Sequence, residues 1–208
     1  LEDLKYIKCL NSISLVEKNI EPLLAYKDEL ICLGLEGTIN KSSHEILPKL
    51  GNLKALYLDS TTLKSFTYIS ELPIEKLSLY GRQPSDTLEL EKLTGLKEIH
   101  IKNNSNWIDF SFLSKLDNLE RIKLSYCAKI ESVPSLDELT RLKCIELSNC
   151  NRLIDIQALW KLGKGCSVLA TGKQLSKERL AYQFDKDTGI SDWCKEYSVN
   201  IPDDILNR

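Results

Sequence analysis

The chain has 208 residues, with 28 basic and 30 acidic side chains for a net charge of −2, and it is 42% hydrophobic and 28% charged. Those figures describe one domain, or two small ones, with a sizeable core and a mixed surface; they exclude a disordered chain and the strong positive excess of a nucleic-acid binder. No run of 18 apolar residues occurs, so no helix is expected to span a membrane.

Leu1 to Leu15 carries charges throughout and does not read as a signal peptide. There is no methionine, even at position 1, so the natural start is expected upstream of Leu1, together with any targeting segment. From the N-terminus onward one apolar pattern recurs at offsets 0, 3, 5 and 8. Leu4, Ile7, Cys9 and Ser12 form a weak first copy, followed by Leu30, Leu33, Leu35 and Thr38, then Leu53, Leu56, Leu58 and Thr61. Ile74, Leu77, Leu79 and Arg82 come next, then Leu96, Ile99, Ile101 and Asn104. Leu119, Ile122, Leu124 and Cys127 match Leu142, Ile145, Leu147 and Cys150, and Cys166, Leu169, Thr171 and Gln174 form a degenerate last copy. Successive copies start 21–26 residues apart. Offsets 3 and 5 alternate with polar residues, which predicts a short strand with both apolar side chains on its inner face.

Between the strands lies a second apolar set at spacing three: Leu47 and Leu50, Ile69 and Leu72, Leu90 and Leu93, Leu113 and Leu116, Leu136 and Leu139, Leu159 and Leu162. This spacing predicts a helical or 3-10 turn, capped by polar residues such as Ser42, Ser43 and Ser111. An irregular coil is expected at Arg82 to Asp86, because Pro84 removes a donor there. From about residue 175 the period stops. Ser176 to Asp185 predicts a short amphipathic helix with Leu180 and Phe184 on one face, and Ser191 to Tyr197 a further turn.

Eight copies in phase resemble the leucine-rich repeat superfamily over residues 1–175, with residues 176–208 as a C-terminal cap and tail. The resemblance implies an α/β solenoid. Stacked units share a parallel sheet on the concave face, with short helical, 3-10 or extended turns on the convex face and a helical cap at the C-terminus. The family's usual Asn at offset 8 is matched only by Asn104, and Arg82 is a clear departure.

The seven cysteines contain no C-x-x-C pair, so no metal site is proposed, and free thiols fit a reducing, cytoplasmic setting. Cys127 and Cys150 share offset 8 in adjacent copies, about 5 Å apart on strand spacing, and read as buried thiols in place of the ladder Asn. Cys9 and Cys166 fall at core offsets, and Cys32 and Cys144 at offset 2 on the concave side. His44 and His100 are the two side chains suited to base catalysis near neutral pH. His100 lies mid-strand without an orienting group and reads as a contact residue. Phosphate-binding glycine loops and nucleophile-elbow motifs are missing, so neither enzymatic activity nor a cofactor is expected.

The outward strand positions carry the functional signal. At the centre they are aromatic and basic: Tyr57, Tyr80, His100, Lys102, Arg121 and Lys123, with Tyr126 at offset 7 and Glu146 beside them. Glu36 and Asp59 make the N-terminal flank negative. Tyr and Arg anchor protein interfaces, so this pattern predicts a module that is monomeric when free and binds a protein partner through its concave sheet, without nucleic acid or membrane. Short irregular solenoids of this kind resemble bacterial immunity proteins, which implies a toxin as partner. The alternatives are a regulatory or scaffold subunit similar to the phosphatase-binding leucine-rich repeat proteins, or a secreted adhesin or receptor fragment.

Overall fold

A computed structural model describes residues 9–14, 19–60, 63–155, 157–162 and 165–171. The predicted helix at Ser176 to Asp185, the turn at Ser191 to Tyr197 and the boundary at 175/176 lie outside the described residues.

Eight strands form one sheet in simple sequence order: β1 (Cys9–Ser14), β2 (Cys32–Glu36), β3 (Ala55–Asp59), β4 (Lys76–Tyr80), β5 (Glu98–Lys102), β6 (Arg121–Ser125), β7 (Cys144–Ser148) and β8 (Ser167–Thr171). Every neighbouring pair is parallel. A parallel pair needs a crossover, and here each crossover is one coil of the solenoid. Several coils run through 3-10 turns: Glu21–Tyr26, Leu47–Lys49, Phe66–Tyr68, Leu88–Lys92, Ser111–Lys115 and Gln157–Lys161, with one short helix, α1 (Lys41–His44). Between β6 and β7 the coil is extended, and a parallel bridge joins Ser132 to Asp155 in the next coil. The fold is a leucine-rich repeat solenoid.

The core follows the predicted columns from β2 to β7. Leu33, Leu56, Leu77, Ile99, Ile122 and Ile145 stack at one inward position, and Leu35, Leu58, Leu79, Ile101, Leu124 and Leu147 at the other, all no more than 1% exposed. The convex pairs close the opposite side, each of them buried except half-buried Leu162. Burial of such side chains stabilises by roughly 1.5–3 kcal/mol apiece, and the gain exists only where a neighbouring coil covers them.

Strand pairing corrects both terminal copies. In β1, Leu10 rather than Ile7 pairs with Leu33, and Ile13 rather than Cys9 pairs with Leu35, across a bulge between Leu10 and Ile13. In β8, Val168 pairs with Ile145 and Ala170 with Leu147, so Leu169 and Thr171 move to the outward columns. Cys9 and Cys166 therefore leave the core offsets: Cys9 pairs with Cys32, and half-buried Cys166 lies just before β8. Paired residues of β1 and β2 are 23 positions apart before the bulge and 22 after it, and those of later pairs 23, 21, 22, 23, 23 and 23, so the apparent spread to 26 came from a misread register.

Just past the strand, at offset 7, each coil from the second to the seventh has a left-handed residue: Gly37 (φ 89°), Ser60 (53°), Gly81 (83°), Asn103 (56°), Tyr126 (55°) and Asn149 (55°). The first five of these donate their N–H to the last carbonyl of the next strand, at 2.8–3.2 Å. The turn thus bends the chain out of the sheet without leaving an amide unpaired. Glycine and asparagine adopt this conformation at low cost, whereas a tyrosine does so against its own sterics.

The offset-8 residues then bury the ascending turn. Asn104, fully buried, accepts from the Asn106 and Trp107 amides at 3.2 and 2.8 Å. Cys127 and Cys150 are fully buried free thiols, Cys127 directed at the carbonyls of Ile101 and Ser125 and Cys150 at those of Leu124 and Ser148. Their mutual hydrogen bond and burial hold the Cys127 thiol far above its ordinary range. In the coil after β4, Arg82 is exposed and Gln83 is buried instead, which realises the irregularity expected there. Trp107 fastens that coil to the next, its Nε1 donating to the Pro84 carbonyl at 2.6 Å and its ring packing edge-on against Phe66, Phe110 and Phe112.

Turn caps come from Asn and Asp ahead of the expected serines. Asn40 accepts from the Ser43 amide, Asp86 from Leu88 and Asp109 from Ser111, at 2.8, 3.0 and 2.8 Å. At the entrance to the strands, charges alternate from coil to coil as Lys54, Glu75, Lys97, Glu120 and Lys143. Glu75 bridges Lys97 and Lys54 at 2.7 and 3.5 Å, and the Lys97 hydrogen bond holds its carboxyl below the usual range. Opposite charges thus stack where like charges would repel.

Replacing Asn104 by Ala leaves two amides in the buried turn without their acceptor. Urea unfolding is expected to show a loss of about 1–3 kcal/mol, and a loss under about 0.5 kcal/mol would contradict this role.

Candidate functional site

The parallel register that stacks the leucines also stacks the outward residues. Tyr57, Ser78, His100, Lys123, Glu146 and Leu169 occupy one concave column after Gly34. Glu36, Asp59, Tyr80, Lys102, Ser125 and Ser148 form the next. Neighbours within a column belong to adjacent strands, so about 4.8 Å of backbone separates them and long side chains come within reach of one another.

Tyr80, His100 and Lys102 form one unit. The Tyr80 hydroxyl and His100 Nδ1 are hydrogen-bonded at 2.9 Å, with the rings edge-on at 4.9 Å. Lys102 Nζ lies 5.5 Å from the centre of the Tyr80 ring, within cation–π range. His100 Nε2 is buried without a partner among the described residues. Burial, reinforced by Lys123 and Lys102 and opposed by Glu146, lowers the imidazole from 6.5 to about 4, so the ring is neutral at physiological pH.

Around this unit the charges divide into paired and unpaired. Lys123 bridges Glu146 at 2.8 Å and Lys76 bridges Glu98 at 3.0 Å. Arg121 and Lys102 have no carboxylate partner among the described residues. A notch of about 200 Å³ beside Arg121 is lined by Tyr57, Ser78, Tyr80, His100, Arg121 and Lys123, with the Lys76–Glu98 pair. Tyr57 is 39% exposed, and burial of its remaining surface raises the phenol, which keeps it a proton donor.

The structure therefore gathers Tyr57, Tyr80, His100, Lys102, Arg121 and Lys123 on the concave centre, with Glu146 turned to neutralise Lys123. Tyr126 stands apart: it follows β6 in the left-handed turn and is 51% exposed there, at the rim rather than on the sheet. His44 is 3% exposed behind the sheet, its ring 5.3 Å from Tyr68, and its imidazole is lowered by burial and by Lys64. Gly34 and Ser78, small residues in a column of large ones, stand outside the set expected to meet a partner. A gap in side-chain size along the column was the signal available for them.

No family model matches the chain, and no curated protein matches it significantly. Solved structures do. An internalin C2 from Listeria monocytogenes superposes with a TM-score of 0.50 at 24% identity, over 71% of this chain and 65% of that one. The chain thus spans less than two thirds of that protein's length. A second internalin from the same organism, inlF, reaches a TM-score of 0.40 at 16% identity, over 82% of this chain and 68% of the other. Internalins are leucine-rich repeat proteins, and the first of these likenesses agrees with the fold read from the strand ladder.

The unfolded chain takes up a proton near pH 6.5 that folded His100 refuses until about 4, so stability falls as pH drops through that window and this group adds nothing further below it. Urea midpoints measured across the window are expected to fall less steeply for His100→Gln than for wild type. Parallel slopes would show that His100 is not held neutral.

Proposed function

We propose that this chain is a non-enzymatic module that binds a protein partner through its concave sheet. The observation that carries the reading is the division of charge at the centre. Among the described residues two concave cations, Lys76 and Lys123, are neutralised within the sheet, whereas Lys102 and Arg121 have no carboxylate partner beside exposed Tyr57. A tyrosine–arginine centre on a preformed ladder anchors a partner with little loss of conformational entropy.

Within that class the narrower proposal is a bacterial immunity protein that covers and neutralises a toxin. A rigid curved sheet suits inhibition by steric covering. Cytoplasmic residence belongs to the same proposal, supported by Cys127 and Cys150 standing as buried thiols. The second reading, a regulatory or scaffold subunit similar to the phosphatase-binding leucine-rich repeat proteins, gains from the strand register. Paired residues 21–23 positions apart lie close to the 22-residue units that such a resemblance implies.

The test is affinity capture from the source cells, followed by titration of the purified partner. Tyr80→Ala and Lys102→Glu are each expected to weaken binding by about 1–3 kcal/mol, roughly 5- to 150-fold, with the thermal melt retained. Unchanged affinity in both variants would move the site off the concave centre. A captured enzyme whose activity stops on binding would support the immunity reading, and a partner that stays active would support the scaffold reading.

A further inference from the structure

Beside the basic centre, on the N-terminal side, the concave face has a second notch of opposite character. The first column is filled by Tyr57, Ser78 and His100 but is empty at Gly34, and the gap opens a cavity of about 390 Å³. Its floor holds the core leucines Leu35 and Leu58, its walls are Tyr57 and Tyr80, and its rim carries Glu36 and Asp59, which are direct neighbours across β2 and β3. Asp59 Oδ1 also accepts from the Ser60 hydroxyl at 3.1 Å. Ser78 lines the same cavity, is 8% exposed, and its hydroxyl makes no hydrogen bond within the described residues.

Each part of this lining selects the same chemistry. Two carboxylates attract positive charge, and tyrosine faces accept a cation and its aliphatic stem. The hydroxyl of Ser78, a residue 8% exposed, adds an acceptor to the lining of the notch. Lys102 over the Tyr80 ring shows the attraction already at work on the neighbouring side.

We propose that this notch takes a lysine or arginine side chain of the partner protein, its stem against Tyr57 and its charged head between Glu36, Asp59 and Ser78. The assignment rests on the concave-face reading above and adds the chemistry of the partner. Tyr57, Ser78 and Tyr80 line both notches, so they form a wall between an acidic site and the centre holding Arg121. Asp59 and Lys102 are two strands apart, so the partner presents a basic and an acidic residue about 10 Å from each other. That dipolar spacing fixes the direction in which a partner seats, because a reversed partner would bring like charges together on both sides.

N-acetyl-arginine methylamide, titrated into the ¹⁵N-labelled chain, tests the assignment, with the citrulline analogue as its uncharged isostere. The expected result is saturable shifts of the Gly34, Glu36, Tyr57 and Asp59 amides, with a dissociation constant on the order of millimolar, as suits so small a ligand, and no such shifts with citrulline. Glu36→Gln with Asp59→Asn, both at exposed sites, is expected to weaken the arginine ligand at least tenfold, roughly the effect of losing one charge-assisted hydrogen bond. Gly34→Val is expected to abolish binding by filling the cavity. Equal shifts with citrulline, shifts confined to other parts of the sheet, or none up to about 50 mM would overturn the assignment. The partner titration with Tyr80→Ala and Lys102→Glu reports separately on the concave-face reading. Loss of partner binding there without any arginine binding would sink the notch alone.

Discussion

Parallel register is the constraint on which the rest of the molecule depends. No coil encloses a core of its own: Leu56 and Leu58 are buried because β2 and β4 stack leucines directly on either side of them. The left-handed residue after each of β2 to β6 preserves this register, because it bends the chain away while its amide stays in the ladder. A one-residue slip would exchange inward for outward positions along a whole strand. The concave surface is a by-product of the same rule. Tyr80, His100 and Lys102 meet because β4 and β5 pair in register, which brings together side chains 20 and 22 positions apart in sequence.

The interior coils were legible because they present Leu or Ile at both inward offsets with polar residues between. The ends were not, for a physical reason. Among the described residues β1 and β8 each pair with one strand, and the sequence around each offers two apolar readings. Leu4, Ile7 and Cys9 fit the pattern, whereas Leu10 and Ile13, three residues apart, do not, yet it is these two that pair with Leu33 and Leu35. The bulge in β1 hid the choice further, since one extra residue breaks the offset rule. At the other end, Cys166, Leu169 and Thr171 competed with Val168 and Ala170, and pairing with Ile145 and Leu147 chose the smaller side chains. Caps were displaced for a related reason. Asn40, Asp86 and Asp109 reach forward two or three residues to the amides they accept from, whereas the serines expected to cap lie within or at the start of the turns.

The candidate site was legible as a set of outward residues and illegible as a charge distribution. Alternation alone puts Lys123, Glu146, Lys76 and Glu98 on the concave face. Which of them neutralise one another depends on side-chain reach across strands, and among the described residues that pairing leaves Lys102 and Arg121 without a carboxylate partner. Tyr126 shows the opposite failure. Counting offsets places it next to the sheet, but the left-handed turn carries it to the rim. Gly34 and Ser78 matter through their small size, which a search for chemically active side chains passes over.

The account stands or falls on which surface meets the partner. The most direct measurement replaces single residues by the photo-cross-linker benzoylphenylalanine, at Tyr57 on the concave sheet and at Leu88 on the convex side, followed by irradiation with the captured partner. The account predicts a covalent adduct from position 57 and none from position 88. An adduct from 88 alone would contradict it and assign recognition to the convex turns.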